Sequence, residues 1–248
     1  MREHFSIFLL VKGMSTKVHN EIVFSNQKQR IIFDHLRQHG NKAISYHTLQ
    51  NDLKYYIDNK GYIAYQSIGS HILVLGDPIC DDVYLNILLD KFLAKFPEAT
   101  FIQISSNTSH ILSQMGYYIN SIGVETKLNL PFLLSGRKKS DVRHLYNSAQ
   151  KRGVTVREIT GEQKLLFESE HLLTGIKRNR TGVRFKNNLS FLARAPIPYF
   201  EFDVRVFGSF YKNKLVGISI FDPIYERGEV IAYAEVVPRR RKYLFFQM

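Results

Sequence analysis

The sequence VRVFGSFYKNKLVGISIFDPIYERGEVIAYAEVV covers residues 204–237. It contains three runs rich in Val, Ile, Phe and Tyr, separated by the turn sequences Lys212-Asn213-Lys214 and Glu226-Arg227-Gly228. Such runs are typical of β-strands, and short turns join antiparallel neighbours. The stretch therefore predicts a three-stranded antiparallel meander, with the second strand ending at Asp222, before Pro223.

Helices and strands alternate along the rest of the chain. Apolar periodicity predicts helices at Gln27–His39, 46–58, 82–96 and 109–115. β-Rich runs predict strands at 61–68, 71–75, 100–104 and 154–159, and paired β-structure over 117–129. Gly69-Ser70 marks a hairpin turn between the first two of these strands. The pattern indicates the α/β class, or α+β with mixed sheets.

A basic helix is predicted over residues 135–153. Val142, Leu145, Tyr146 and Ala149 are spaced so that they share one face of a helix. The stretch carries six cations and one acid, a net charge of about +5 on a rod roughly 25 Å long. Cations in the first turn oppose the helix dipole, which favours an anionic ligand as their explanation. The alternative is that they only solvate the outer face of a surface helix.

The excess positive charge lies in the second half of the chain. Residues 1–124 hold 11 Lys and Arg against 10 Asp and Glu, whereas residues 125–248 hold 23 against 12. Residues 171–200 contain no acid, and aromatic residues are interleaved with their cations. This asymmetry favours a nucleic-acid, phosphate or anionic-membrane partner, with base stacking as one use of the aromatics and core packing as the other.

Several other classes of protein are disfavoured by composition. Cys80 is the single cysteine, so no intrachain disulfide can form, and a reducing compartment such as the cytoplasm is expected. The scattered histidines match no metal-ligand spacing, so neither a metal nor a cofactor is expected. The longest N-terminal apolar run, 5–11, is too short to span a membrane.

Three motifs taken together resemble one known family. They are Gly76-Asp77-Pro78 after the hairpin, Leu134-Ser135-Gly136-Arg137-Lys138-Lys139 at the basic helix, and Phe221-Asp222-Pro223-Ile224-Tyr225 in the meander. In this order they resemble the C-terminal catalytic domain of phosphatidylglycerol lysyltransferases and its soluble relatives, over roughly residues 20–242. The resemblance implies two tandem GCN5-related N-acyltransferase-like folds. We expect a lead-in at 1–19 and domains at 20–130 and 131–248.

The resemblance also implies an activity and its partners. The expected reaction moves an aminoacyl group from aminoacyl-tRNA to an anionic phospholipid or another small acceptor, at the cytoplasmic side or peripherally on the inner membrane surface. It places Lys138, Lys139 and Arg143 at the tRNA acceptor end or the lipid phosphate. Arg178, Arg180 and Arg184 are predicted to form a second polyanion contact zone. No catalytic residue is assigned, since an aminoacyl ester is already activated and needs mainly positioning and oxyanion donors.

The family pattern continues beyond the last strand seen in this sequence. We therefore expect the second acyltransferase fold to be C-terminally incomplete, which puts activity in doubt. The alternative function is a non-catalytic remnant that binds RNA or an anionic membrane. An incomplete sheet would also leave residues 231–237 as an exposed strand edge, from which self-association is expected.

Overall fold

The computed structural model describes residues 7–9, 27–50, 52–128, 140–162, 164–166, 168–169, 171, 187–192, 194 and 201–236. Its helices are α1 Gln27–His39, α2 Leu85–Lys95, α3 Ser106–Gln114 and α4 Ser140–Lys151, with 3₁₀ helices at Ser45–Leu49, Asp82–Tyr84 and Asn187–Leu192. The strands are β1 Ile7–Leu9, β2 Lys54–Asp58, β3 Gly61–Ile68, β4 His71–Leu75, β5 Ile79–Cys80, β6 Thr100–Ile102, β7 Thr126–Leu128, β8 Thr155–Glu158, β9 Arg205–Tyr211, β10 Lys214–Glu226 and β11 Glu229–Glu235. The fold is mixed α/β with two sheets, as the sequence predicted.

The larger sheet is built around the predicted meander. Its strand order is β7-β1-β11-β10-β9-β8, and only the β1–β7 pair is parallel. The expected end of the second strand at Asp222 is wrong, because β10 continues through Pro223, which lies opposite Tyr233. The pairing shifts register between Ile224 and Tyr225. Pro223 has no backbone N–H to donate to the sheet, and a strand accommodates such a residue beside a register irregularity.

The open edge expected at residues 231–237 is not an edge over its central part. β1 pairs antiparallel with β11, placing Phe8 opposite Ala234 and Leu9 opposite Tyr233. β1 pairs on its other side with β7. A strand from the opposite end of the chain thus supplies the missing neighbour. The strand edge is therefore covered at Tyr233 and Ala234, and self-association of the chain stays a prediction.

The smaller sheet has the order β2-β3-β4-β6, with β5 beside β3. The predicted β3–β4 hairpin is present, and Gly69 adopts φ +60 at its turn. The helix predicted at 46–58 is wrong beyond Leu49, because residues 54–58 form β2 and pair with β3. Their Tyr and Ile side chains favour a pleated surface, and that tertiary pairing outweighs the local helical spacing.

Two further predictions need correction. Of residues 117–129, described as far as 128, only Thr126–Leu128 is a strand. α3 begins at Ser106 rather than 109, because the Ser105 side chain caps the helix by accepting a hydrogen bond from the Thr108 backbone N–H.

One hydrophobic core joins the two sheets through α1. Ile32, Phe33 and Leu36 of α1 pack in a cluster that includes Tyr62 of β3 and Tyr225 of β10. The backbone N–H of Tyr225 also donates to the carbonyl of Gly40, just after α1. This packing brings the middle of β10 close to the 3₁₀ helix Ser45–Leu49.

α4 stands apart from the described cores. None of its residues is buried, and none belongs to the three described core clusters. An amphipathic helix normally buries its apolar face, yet Val142, Leu145 and Tyr146 are 49%, 46% and 50% exposed. The boundaries at residues 20, 130 and 131 and the tandem acyltransferase subdivision stay predictions.

Candidate active site at the junction of the two sheets

A buried ionic cluster lies where β10 meets the 3₁₀ helix Ser45–Leu49. Its four members, hereafter the junction cluster, are His47, Arg194, Glu201 and Asp222. Asp222 has no solvent exposure, and the Arg194 side chain is only 4% exposed. Charged groups buried to this degree are rare in protein interiors unless they are paired or functional.

The strand pattern of β10 explains how Asp222 becomes buried. Ile218 and Ile220 are buried at alternate positions, and Asp222 is the next residue on that face. Successive side chains of a strand point to opposite faces, so Asp222 occupies a position where an apolar residue is expected. The Asp222 carboxyl group therefore lies on the buried, otherwise apolar face of β10.

Arg194 links the two acids of the junction cluster. Its Nη2 donates to Glu201 Oε1 at 2.5 Å, and its Nη1 lies 3.4 Å from Asp222 Oδ1. The guanidinium carbon is 5.0 Å from the centre of the Tyr46 ring. On the other side of the carboxyl group, His47 Nε2 lies 3.6 Å from Asp222 Oδ2.

Several polar atoms of the cluster are not satisfied within the described part of the chain. Both carboxyl oxygens of Asp222, Nη1 of Arg194 and Nδ1 of His47 are buried without a hydrogen-bond partner there. A buried polar atom left unpaired costs about 1–3 kcal/mol. In native proteins such groups are completed by an ordered water, an ion or a bound molecule, or are kept where chemistry needs them.

Burial sets the protonation of the two central groups. Loss of solvation raises the pKa of Asp222 to about 7, against the opposing effect of Arg194 and with a further upward contribution from Glu201. Burial, and then the charge of Arg194, lower the pKa of His47 to about 3. His47 is therefore neutral at physiological pH. Asp222 can both accept and release a proton there, which is the property required of a general base or acid.

The surrounding loops hold these groups in place by hydrogen bonds. Tyr46 donates to the carbonyl of Phe202 at 2.9 Å, and Tyr225 donates to Asp203 Oδ2 at 2.9 Å. Asp203 has φ +57, a left-handed conformation uncommon for a residue with a side chain. Gln50 donates to the carbonyl of Phe191 at 2.7 Å, which ties the segment before Arg194 to the Ser45–Leu49 helix.

The motif Gly76-Asp77-Pro78 has a structural role in this fold. Gly76 adopts φ +71 and donates its N–H to the carbonyl of Ile102. Asp77 Oδ1 accepts a hydrogen bond from the backbone N–H of Ser105 at 2.8 Å. The motif thus fixes the start of α3 beside the end of β4.

The site residues predicted from sequence differ from the junction cluster. Lys138, Lys139, Arg178, Arg180 and Arg184 lie outside the described residues. Arg143 is a partly buried residue of the surface helix α4. Sequence reasoning passed over the junction cluster, although an Asp in phase with Ile218 and Ile220 was a visible signal. Arg194 and His47 carried no such signal, because only the tertiary fold brings them to Asp222.

The described residues lack two features, a metal-binding cluster and a membrane-spanning helix. No three His, Cys, Asp or Glu side chains in these ranges converge so as to hold a metal ion. None of the helices in the described parts of the chain is long and apolar enough to cross a membrane.

Comparison with known proteins places the chain in a family. The profile of the family described as phosphatidylglycerol lysyltransferase, C-terminal, matches residues 33–232. The chain belongs to this family. All four residues of the junction cluster lie within the matched segment. A search of curated protein sequences found no match.

Solved structures of similar fold agree with this family. The structure of L-PGS from Bacillus licheniformis is 20% identical with a TM-score of 0.67, and the match covers 88% of this chain and 68% of that one. The C-terminal domain of a candidate lysylphosphatidylglycerol synthetase from Agrobacterium fabrum is 14% identical with a TM-score of 0.59, covering 87% and 70%. A conserved protein of unknown function from Bacteroides thetaiotaomicron is 14% identical with a TM-score of 0.50, covering 80% and 73%. At these identities the likeness concerns the fold.

Replacing Asp222 by Asn should change how stability depends on pH. A carboxyl group whose pKa is about 7 when folded and 3.8 when unfolded stabilises the protein below pH 4, and that contribution is lost as pH rises through 7. The free energy of unfolding of the native protein minus that of Asp222→Asn should therefore fall by up to about 4 kcal/mol between pH 4 and pH 8. Urea unfolding at several pH values measures this difference.

His47 lies 3.6 Å from Asp222, so the same pair of proteins is also compared in a His47→Gln background, where His47 does not titrate. If the free energy of unfolding of the native protein minus that of Asp222→Asn rises between pH 4 and pH 8, the raised pKa of Asp222 is contradicted. Such a rise would mean that Asp222 is a carboxylate stabilised by Arg194 throughout.

Proposed function

We propose that the protein is an aminoacyltransferase that moves an aminoacyl group from aminoacyl-tRNA to a hydroxyl group of phosphatidylglycerol or a similar small acceptor. The observation that carries the proposal is the presence of a buried, incompletely paired carboxyl group, Asp222, inside the segment that matches the lysyltransferase family. The family supplies the class of reaction, and the junction cluster supplies groups suited to it.

The proposed reaction is a transesterification. The acceptor hydroxyl attacks the carbonyl carbon of the aminoacyl ester, so a new carbon–oxygen bond forms to the acceptor. The bond between the carbonyl carbon and the ribose oxygen of the tRNA breaks. One proton leaves the acceptor hydroxyl and one is gained by the departing ribose oxygen, so no external oxidant, reductant or activating nucleotide is consumed.

We assign the transfer of that proton to Asp222. Its pKa of about 7 lets it take a proton from the acceptor and return it to the leaving group at neutral pH. Arg194, 3.4 Å away, holds the carboxylate form once the proton has been released and restrains the carboxyl group in position.

The charge around the junction favours a cationic donor group. Burial raises the pKa of the Tyr46 hydroxyl, the charges of Glu201, Asp222 and Asp203 raise it further, and Arg194 is the cation of the described residues that lowers it. When Asp222 is ionised these four side chains carry a net charge of −2. An aminoacyl ester brings at least one ammonium group, and a lysyl ester brings two, so the junction complements the aminoacyl part of the substrate.

The cations predicted from sequence fit the remainder of the substrates. Lys138, Lys139 and Arg143, with Arg178, Arg180 and Arg184 as a second zone, are proposed to contact phosphates of the tRNA or the phospholipid. Phosphate contacts would position the substrates, whereas the acidic junction would receive the aminoacyl group.

The second candidate function is non-catalytic binding of RNA or an anionic membrane. The observation that favours it is the net charge of +11 on residues 125–248. This candidate needs no functional carboxyl group, so activity measurements separate it from the enzyme.

Transfer activity should depend on Asp222. In a reaction containing lysyl-tRNA and phosphatidylglycerol vesicles, the native protein should produce lysyl-lipid, and kcat/KM, which reports the free enzyme, should rise with pH with a midpoint near 7. Asp222→Asn should lower kcat by about 10²–10⁴-fold with little change in KM for the tRNA, because an amide cannot accept the proton. Radioactivity entering the lipid phase from labelled aminoacyl-tRNA measures the rate.

Asp90→Asn is the matched control, since Asp90 is an exposed acid on α2. It should retain the native rate. Native rates in Asp222→Asn would remove Asp222 from the mechanism. Absence of transfer by the native protein from every aminoacyl-tRNA, to phosphatidylglycerol and to other hydroxyl acceptors, would favour the binding function instead.

A further inference from the structure

The exposed apolar face of the amphipathic helix α4 has no role in the proposed reaction. Its four apolar residues, Val142, Leu145, Tyr146 and Ala149, cover an arc of about 100° at 100° per residue. The three larger side chains are each close to half exposed, although most large apolar side chains of the described chain are in its cores. Leaving such a face against water is unfavourable, so the face is expected to have a partner.

Two cations, Arg143 of α4 and Arg152 just after it, lie near the borders of this apolar arc. By the same helical geometry Arg143 falls about 60° beyond Tyr146, and Arg152, which follows the last helical residue, falls about 20° beyond Leu145. The Arg152 backbone N–H donates to the carbonyl of Ser148, so the helical path continues to that residue. An apolar centre with a cation on each border is the arrangement of helices that lie in a membrane interface.

The polar side of α4 is distinct from this face. His144, Asn147, Ser148, Lys151 and Arg152 line a shallow depression along it. Lys151 falls about 170° from the middle of the apolar arc, which leaves the apolar side chains free to enter lipid while the polar side faces water.

We propose that α4 docks the protein on an anionic bilayer, with its apolar arc inserted among the acyl chains and its border arginines on lipid phosphates. Charge complementarity supports this occupant, because the half of the chain that contains α4 carries a net charge of +11. RNA also carries phosphates, but it has no apolar surface that would bury Val142 and Leu145. The proposal rests on the proposed function in one respect, since an acceptor that resides in a membrane explains why the protein should bind there.

The chain contains no tryptophan, so a single introduced tryptophan reports on α4 alone. In Leu145→Trp, emission should shift to shorter wavelength when phosphatidylglycerol vesicles are added, and brominated lipid should quench it. The matched control is Ile87→Trp on α2, a site with 47% exposure against 46% for Leu145. Its emission should not change. Addition of tRNA should leave the emission of both proteins near that of an exposed indole.

A second pair of variants tests the energetics without a fluorophore. Val142→Gln with Leu145→Gln should weaken partitioning to phosphatidylglycerol vesicles about tenfold or more, because two half-exposed apolar side chains no longer enter lipid. Val83→Gln with Ile87→Gln, at exposed sites, should bind as the native protein does. Urea unfolding confirms that each variant is folded.

The docking proposal would be overturned by unchanged Leu145→Trp emission on vesicles, by equal partitioning of the two glutamine pairs, or by a Leu145→Trp shift produced by tRNA instead. A shift that depends on protein concentration in the absence of lipid would assign the face to a second copy of the chain, and this too would overturn the proposal. Vesicle binding requires no turnover. Embedding of α4 without lysyl transfer would therefore refute the proposed function alone, and transfer without embedding would refute the docking alone.

Discussion

Burial of the Asp222 carboxyl group is the constraint on which the functional half of this structure depends. A carboxyl group on the apolar face of a strand must be protonated, paired with a cation or hydrogen-bonded to a ligand. Arg194 supplies partial pairing from a different segment, and the Ser45–Leu49 helix closes the other side with His47. This arrangement requires β10 to meet α1 through Tyr225, so the same core contacts that join the two sheets also create the site.

The distribution of charge separates two kinds of binding within a basic protein. The chain as a whole has a net charge of +12, yet the junction around Tyr46 is acidic. Surface cations attract phosphates over distances of about a Debye length, roughly 8–10 Å at physiological salt. The buried acidic groups of the junction act only at contact, and salt screens them far less. A substrate that carries phosphates at one end and an ammonium group at the other would be oriented by this difference.

Local sequence patterns were sufficient for much of the fold but not for its long-range pairings. The meander and the hairpin at Gly69-Ser70 were predicted because their turns and strands are adjacent in sequence. The pairing of β1 with β11 joins residues more than 200 positions apart, and no local pattern reports such a contact. The local spacing of residues 54–58 predicts a helix. Their pairing with β3, which local spacing does not report, makes them a strand instead. The site followed the same rule: Asp222 was visible as an acid in an apolar strand, whereas Arg194 and His47 became its neighbours only through the fold.

The state of the Asp222 carboxyl group can be observed directly by carbon NMR. In protein labelled at the aspartate carboxyl carbons, the resonance of Asp222 is identified by its loss in Asp222→Asn and then titrated with and without lysinamide, a stable mimic of the lysyl ester. The account predicts a midpoint near 7 in the unliganded protein and a lower midpoint with lysinamide, because a neighbouring ammonium group favours the carboxylate. A midpoint near 4 that does not respond to lysinamide would contradict the claim that the junction cluster is the substrate site.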